Sequence, residues 1–413
     1  MKKHISIFIL ILMLFTITLS ACQVFDGPAP TPTDEPQITS PTLEPTITAT
    51  QDQILIPDPT ATEDIQPSPE PTPTKPEPAT PPTTSGQIAY IYRGNLWQHL
   101  IDTDESVQVT TDGVPNDYMK SYGRPRFSPD GRYLAFNQGD DSTILDLADN
   151  SLIDLSNYGQ FFAWTGEGTQ FYGVQGDFAC PDIDDLEDQV LINFDILEFD
   201  LNDLANPTFL ANIGDGLKFM TAISGDGQWA SIVHCGCYSE CGSENLWYLP
   251  TGSTIDPPIE LFPGYIDFSP DDTRLTVSQF QLFGYFHSPL YTANIDFTEL
   301  VEIFSDPDVA PVNTQWSPDG EWIAFTGVIL TDDEFVEADR CVRLIKPDGS
   351  QEYVVECSQA DFLTWSPGGD QLLYSQQDGT QENVYIYDLG TSSKTQLPFQ
   401  VDPFFGIDWG VLQ

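Results

Sequence analysis

A short turn sequence recurs along the chain and restricts the possible folds more than any other feature. Ser-Pro-Asp-Gly stands at 128–131 and at 317–320, each time after an aromatic residue and before a short apolar strand. Proline presets φ at the second position of a type I turn, and glycine supplies the left-handed conformation that completes a hairpin. Each copy therefore predicts a β-hairpin connection whose residues need no catalytic role. Variant copies follow Trp164, Ile223, Phe268 and Trp365.

A second, outer hairpin can be placed in each repeat, and seven such hairpins are found. Their predicted strand pairs are 95–97 with 107–109, 143–147 with 152–155, 196–199 with 208–210, 246–249 with 259–261, 290–293 with 300–303, 342–345 with 353–355, and 384–387 with 395–397. Only six turn motifs precede them, because the first hairpin follows a single strand at 88–91. Residues 405–410 have the pattern of the missing inner strand.

These counts predict an all-β fold: a β-propeller of seven four-stranded blades over residues 87–413, closed by its C-terminal strand. Six or eight blades would follow if the insert-rich third and fourth blades were divided differently.

The turn and its flanking strands resemble the WD40-like (PD40) repeats of the TolB propeller family, which are also found in relatives of prolyl oligopeptidase. The resemblance covers most of residues 87–413 and implies a propeller. It says little about function, because TolB carries an additional N-terminal domain and lacks an anchor of the kind described next.

The N-terminus has the pattern of an export signal. Lys2 and Lys3 precede an apolar run that ends at 19–22, Leu-Ser-Ala-Cys, which resembles the lipobox of bacterial lipoproteins. That resemblance implies a signal peptide over 1–21 and lipid attachment at Cys22, hence an extracytoplasmic protein held at the cell membrane or cell surface. An ordinary signal peptide or a simple membrane anchor is the alternative interpretation.

Residues 22–86 predict a disordered linker after the lipidated cysteine. Residues 23–86 hold 16 of the 34 prolines of the chain, mixed with Thr, Ser, Asp and Glu. Such a segment cannot bury enough apolar surface to offset its chain entropy, and proline favours an extended conformation. We expect it to act as a spacer.

The charge of the chain argues against anionic partners. With 63 acidic and 14 basic residues, the formal net charge is −49, which argues against nucleic acid and anionic lipid as ligands. We expect a monomer that contacts the membrane only through its lipid and needs no cofactor.

Catalytic residues are not marked by any motif. The sequence has no Gly-x-Ser-x-Gly elbow, and His99, His234 and His287 lie in or near different blades, so a Ser-His-Asp triad is disfavoured but open. Asp267 and Asp408 precede the aromatic position of predicted inner strands. They are either axial carboxylates that bind a cation or sugar, or structural groups that bond to neighbouring backbone.

The six cysteines after Cys22 favour disulfides, because their number is even and the predicted compartment is oxidising. Cys341 and Cys357 flank a turn symmetrically and predict a cross-strand bridge. Cys235, Cys237 and Cys241 form a dense cluster beside His234. Two disulfides that include Cys180 are favoured there over a zinc or copper site. Two acidic inserts, 182–188 and 332–339, predict solvated loops rather than calcium sites.

The functional hypothesis from sequence is therefore a non-catalytic binding module for an extracytoplasmic protein, peptide or glycan. Two alternatives remain open at this stage. One is an extracellular glycan hydrolase or lyase with its site at the propeller axis, and the other is an envelope assembly factor.

Overall fold

A computed structural model describes residues 86–413, apart from 116, 118, 140, 167, 177–193, 215–216, 236–240, 259–265, 279–288, 331–336, 379–380, 403–405 and 413. Within these residues the chain forms 28 β-strands and no helix. The strands make seven four-stranded antiparallel sheets, as predicted.

The strands follow one another blade by blade from the propeller axis to the rim, except that blade 1 takes its inner strand from the C-terminal end of the chain. In blade 1 they are β1 (Gln87–Tyr92), β2 (Asn95–Leu100) and β3 (Glu105–Gln108). In blade 2 they are β4 (Tyr122–Phe127), β5 (Tyr133–Gln138), β6 (Asp141–Asp146) and β7 (Ser151–Asp154). In blade 3 they are β8 (Gln160–Trp164), β9 (Gln170–Gly176), β10 (Phe194–Asp200) and β11 (Thr208–Asn212). In blade 4 they are β12 (Leu217–Ile223), β13 (Trp229–Cys235), β14 (Cys241–Tyr248) and β15 (Ser253–Ile255).

The remaining blades repeat the same order. In blade 5 the strands are β16 (Ile266–Phe268), β17 (Arg274–Ser278), β18 (Leu290–Asn294) and β19 (Val301–Phe304). In blade 6 they are β20 (Val309–Trp316), β21 (Ile323–Leu330), β22 (Glu337–Ile345) and β23 (Glu352–Glu356). In blade 7 they are β24 (Ala360–Trp365), β25 (Gln371–Asp378), β26 (Gln381–Asp388) and β27 (Ser393–Gln400). The last strand, β28 (Ile407–Gly410), returns to blade 1 as its inner strand.

The C-terminal strand closes the ring as the sequence predicted. β28 pairs antiparallel with β1, in a register that runs from Gln87 opposite Gly410 to Tyr90 opposite Ile407. The amide of Gln87 donates hydrogen bonds to the carbonyls of Gly131 and Val411 at 2.9 and 2.8 Å. The two ends of the propeller are thus bonded to each other and to the turn of blade 2.

The predicted turn chemistry is present at the strand junctions. The hydroxyl of Ser128 donates to the Asp130 carboxylate at 2.6 Å and accepts the backbone N–H of Tyr133 at 2.9 Å, while Gly131 has φ of +73°. The equivalent hydroxyl is buried in all six turns, at Ser128, Thr165, Ser224, Ser269, Ser317 and Ser366.

One predicted outer strand is wrong. Residues 246–249 were expected to pair with 259–261, but β14 pairs with β15, so that Tyr248 lies opposite Ser253. The reason is a tight turn, since the N–H groups of Thr251 and Gly252 both bond to the Tyr248 carbonyl and Gly252 has φ of +68°. Residues 259–261 lie outside the described residues.

The core lies between the blades rather than within any one of them. The second strand of a blade is buried on both faces, as in β5 and β25, whereas outer strands such as β3 are exposed. Within the described residues, seven clusters of buried apolar side chains occur, and each joins two neighbouring blades, including blade 7 with blade 1. The second strands therefore read as apolar runs, because both of their faces meet another sheet.

We predict that ring closure depends on the packing of Trp409, which lies in the cluster between blades 7 and 1. Trp409→Ala should lower the free energy of unfolding by about 3–5 kcal/mol, the usual cost of deleting a buried aromatic side chain. Leu412→Ala, three residues on and 44% exposed, should change it by less than about 0.5 kcal/mol. Urea unfolding followed by tryptophan fluorescence measures both. Equal effects of the two substitutions would contradict this account of closure.

Candidate functional site

One sequence position on the inner strand recurs at the axis of the propeller. It lies immediately before the aromatic or apolar residue that leads into the turn motif or, in blade 1, immediately before Trp409. In blades 1 to 7 its occupants are Asp408, Arg126, Ala163, Ala222, Asp267, Gln315 and Thr364. The two candidate carboxylates are therefore equivalent by repeat position.

Both carboxylates bond to the backbone of the next blade. Oδ2 of Asp408 accepts the backbone N–H of Phe127 at 2.7 Å, and Oδ2 of Asp267 accepts that of Trp316 at 2.9 Å. An inner strand has one edge without a partner strand, and its N–H groups need another acceptor. The two aspartates supply that acceptor, so the structural interpretation of these residues is the one that the geometry supports.

Two other junctions are bridged at the same position by different groups. The indole N–H of Trp164 donates to the backbone carbonyl of Arg126 at 3.0 Å, and that of Trp365 donates to the carbonyl of Gln315 at 3.3 Å. In each case the bond joins neighbouring inner strands. The repeat position that holds an aspartate in blades 1 and 5 therefore also links neighbouring inner strands in blades 2 and 6. There its backbone carbonyl accepts the bond.

The surroundings of the carboxylates disfavour their charged form. Burial raises the pKa of Asp267 to about 7, against the lowering effect of the N–H groups of Trp316 and Phe268. Burial also raises the pKa of Asp408, although Arg126 and the N–H groups of Phe127 and Trp409 oppose the change. Both residues are half-buried.

The described contacts of the two carboxylates are to backbone N–H groups and do not pair one carboxylate with the other. Glycoside hydrolases place two carboxylates within about 5–10 Å on either side of one bond. Asp408 and Asp267 lie in blades 1 and 5, with two blades between them by the shorter path, and each bonds to a different strand.

His99 is brought next to a hydroxyl and a carboxylate, but in a packing role. Nδ1 lies 3.0 Å from the Ser106 hydroxyl, and Nε2 lies 3.8 Å from the carboxylate of Asp104. The ring is 1% exposed and packs 5.0 Å from that of Phe399. Burial lowers the pKa of His99, with partial opposition from Asp104, which favours the neutral ring. His99 therefore contributes to the contact between blades 1 and 7.

One of the predicted cysteine pairings is confirmed. Cys341 and Cys357 form the predicted disulfide, with Cα atoms 4.1 Å apart. The backbones of Cys235 and Cys241 lie opposite each other in β13 and β14, and His234 lies in β13. Cys22, Cys180, Cys237, His287 and the insert 182–188 lie outside the described residues, as does most of the insert 332–339.

The described part of the chain contains no arrangement of three or more His, Cys, Asp or Glu side chains suited to a metal ion. No helix among the described residues is long and apolar enough to cross a membrane.

A groove between blades 1 and 2 was not anticipated from the sequence. We call it the blade 1–2 groove; its volume is about 560 Å³, within the usual range of about 300–1,000 Å³ for ligand pockets. One wall comes from blade 1 and includes Gln98, Val107 and Gln108. The other comes from blade 2. Its residues are Tyr122, Phe136, Gln138, Asp141, Thr143, Leu145, Asn150, Leu152, Asp154 and Ser156.

Two exposed apolar side chains mark the outer part of this groove. Val107 on β3 is 55% exposed and Leu152 on β7 is 65% exposed, and the two lie on opposite walls. Apolar residues on otherwise polar outer strands were the only signal in the sequence. Which residues face each other across two blades depends on the closed ring.

The fold and these features define a seven-bladed β-propeller with a groove between two blades. The sequence profile of one protein family, the dipeptidyl peptidase IV (DPP IV) N-terminal region, matches residues 52–158. The search of curated proteins found no match to the chain.

Solved structures share the fold at low identity. A prolyl endopeptidase is 15% identical with a TM-score of 0.54, over 80% of this chain and 50% of that one. The putative TolB from Agrobacterium tumefaciens is 17% identical with a TM-score of 0.41, over 67% of this chain and 90% of that one. The TolB from Acinetobacter baumannii is 13% identical with a TM-score of 0.43, over 79% of this chain and 67% of that one. The profile match and the prolyl endopeptidase support a propeller of the type found in these proteins, and the likeness concerns the fold alone.

We predict that Asp267 makes stability depend on pH. Its folded pKa lies above the value near 3.9 of an unfolded chain, so between about pH 4 and pH 7 the unfolded chain releases a proton that the folded chain keeps. The contribution of Asp267 to stability is therefore fully present below about pH 4 and lost as the pH rises through 7. Asp267→Asn keeps an oxygen for the Trp316 N–H and does not ionise. Its melting temperature should match the wild type at pH 4 and exceed it at pH 8.

Two further variants separate the causes. Asp378→Asn removes an exposed charge from β25 and controls for the general acidity of the chain. Asp267→Ala removes the acceptor and should be less stable than Asp267→Asn at every pH. A melting-temperature difference between Asp267→Asn and wild type that is the same at pH 4 and pH 8 would refute the prediction.

Proposed function

We propose that this chain is a lipid-anchored, extracytoplasmic β-propeller that acts as a non-catalytic binding module, with the blade 1–2 groove as its ligand site. The groove is the observation that carries the proposal. It is concave, has a volume suited to a ligand, and is lined by apolar side chains together with amides and carboxylates.

The rigidity of the fold supports a binding role. Both walls of the groove are strands of blades that pack against each other through a buried cluster nearer the axis, including Leu96, Phe127 and Leu134. A site built on packed strands keeps its shape without a ligand, so little ordering entropy is lost on binding.

The alternative of a glycan hydrolase or lyase rests on the axial carboxylates, and that alternative is weakened. Asp267 and Asp408 both accept backbone hydrogen bonds from neighbouring blades, which gives them a structural role. An envelope assembly factor remains a special case of the binding module, in which the ligand is an envelope protein.

The position of the module outside the cytoplasm is supported by the lipobox-like sequence at 19–22 and by the disulfide between Cys341 and Cys357. Disulfides persist in oxidising compartments and are rare in the cytosol. The proline-rich linker would then hold the propeller away from the membrane.

We predict that the ligand contacts Leu152. A photo-reactive amino acid at this position of the full chain in cells should give a cross-linked adduct, and the same amino acid at Val354, 52% exposed on blade 6, should give none. Val107→Arg on the opposite wall should abolish the Leu152 adduct by filling the groove. Identical adducts from both positions, or a Leu152 adduct that survives Val107→Arg, would overturn the assignment of the groove.

The anchor is tested separately through Cys22. Because the lipid is attached through the thiol, Cys22→Ser should abolish labelling by radioactive palmitate and move the chain from the membrane fraction to the soluble fraction. Cys180→Ser is the matched control and should behave as the wild type. Continued lipid labelling of Cys22→Ser would disprove the predicted attachment site.

A further inference from the structure

The chemistry of the blade 1–2 groove indicates the kind of ligand that it takes, on the assumption that the proposed binding function is correct. The wall from blade 2 is a regular antiparallel sheet whose side chains fall into rows across β5, β6 and β7. Leu145 lies opposite Leu152, Thr143 opposite both Phe136 and Asp154, and Asp141 opposite Gln138.

These rows change from apolar to acidic along the groove. The first row is aliphatic, the second contains one carboxylate, and the third contains another. Successive rows are two residues apart along β6, or about 7 Å at the rise of an antiparallel strand. The carboxylates of Asp154 and Asp141 therefore belong to rows about 7 and 14 Å from the leucine row.

The groove has a negative charge that nothing in its lining offsets. Among the described residues that line it, none is Lys or Arg, whereas Asp141 and Asp154 are both present. Asp154 accepts the backbone N–H of Ser156 at 2.9 Å, and that bond and the Ser156 hydroxyl lower the pKa of its carboxyl. With a net charge of −49 on the whole chain, the surface attracts cationic partners and repels anionic ones.

Side-chain amides in the groove suit a peptide backbone. The amide nitrogens of Gln108 and Gln138 donate to the backbone carbonyls of Thr110 and Lys120, at 2.8 and 3.2 Å. Within the described residues their amide oxygens are the groups left to accept an N–H. The aromatic residues Tyr122 and Phe136 are buried and present no open ring face for a sugar to stack on, which favours a peptide over a glycan.

We propose that the blade 1–2 groove binds an extended peptide segment that carries an aliphatic side chain and, two and four residues away, lysine or arginine. The aliphatic side chain packs between Leu152 and Val107. The two cations then lie at the carboxylates of Asp154 and Asp141, because an extended peptide advances by about the same distance per residue as the strands of the wall.

The test uses the full chain and fluorescein-labelled octapeptides of Thr and Gln. Two probes carry one Leu and two Lys residues two and four positions from it, in the two chain directions, because the groove does not define the direction. Each of these probes has two matched versions, in which both Lys residues are replaced with Ser or with Glu. Fluorescence anisotropy gives the dissociation constants at 50 and 500 mM NaCl.

One of the two Lys probes should bind about 10-fold tighter than its Ser counterpart at low salt, since two exposed ion pairs together give about that factor. The advantage should largely disappear at 500 mM NaCl. The double variant Asp141→Asn, Asp154→Asn should lose the same factor, whereas Asp378→Asn on blade 7 should bind as the wild type. Leu152→Arg should abolish binding of every probe.

Other outcomes distinguish the inference from the function it rests on. If Lys, Ser and Glu probes bind equally and only Leu152→Arg matters, the groove binds peptides but the charge rule is wrong. If no probe binds while a photo-reactive group at Leu152 still gives an adduct that Val107→Arg abolishes, the binding function stands and the peptide inference is refuted. If both experiments fail, the proposed function fails with the inference.

Discussion

The pairing of β28 with β1 is the interaction on which the rest of the structure depends. Each blade buries its apolar faces only against its two neighbours, so an open row of seven blades would expose the faces of the first and the last. The four-residue register from Gln87 to Tyr90 fixes the strand that follows blade 7 in the sheet of blade 1, and the cluster around Trp409, Tyr90 and Phe399 fills the junction between the two blades. Because both chain segments contribute strands to one sheet, blade 1 forms only when residues more than 300 positions apart have met.

At the axis, one repeat position links neighbouring inner strands in several blades, through different chemical groups. An inner strand has an unpaired edge, and the groups of that edge must be bonded. Asp408 and Asp267 supply carboxylates to the N–H groups of the next blade, whereas Trp164 and Trp365 bond to carbonyls of the preceding blade. An aspartate at the axis of such a propeller is therefore weak evidence for catalysis. Its raised pKa follows from burial beside backbone, which is also what a structural role produces.

The groove lies where the same packing is incomplete. Blades 1 and 2 are joined by the buried Leu96, Phe127 and Leu134, whereas Val107 and Leu152 on their outer strands are exposed and line the groove. The buried part of the contact between blades 1 and 2 thus stabilises the fold, and the exposed part forms the proposed ligand site. The buried part holds the walls in place, and the outer part presents apolar and acidic side chains on strands that the buried part supports.

The features that could be predicted from the sequence depend on neighbours close along the chain. The turns are local, since Ser128, Asp130 and Gly131 bond within one stretch, and so are the hairpins and the Cys341–Cys357 disulfide across 16 residues. Counting these units was enough to predict seven blades and the closing strand.

The outer strand of blade 4 was misplaced because the tight turn at Gly252 competes with a longer loop that the apolar pattern also allows. Two relations required the folded ring: Asp267 bonds to Trp316, 49 residues away, and Val107 and Leu152 share a groove. Those relations depend on which blades the ring makes neighbours, and no local pattern encodes the distance between two sheets.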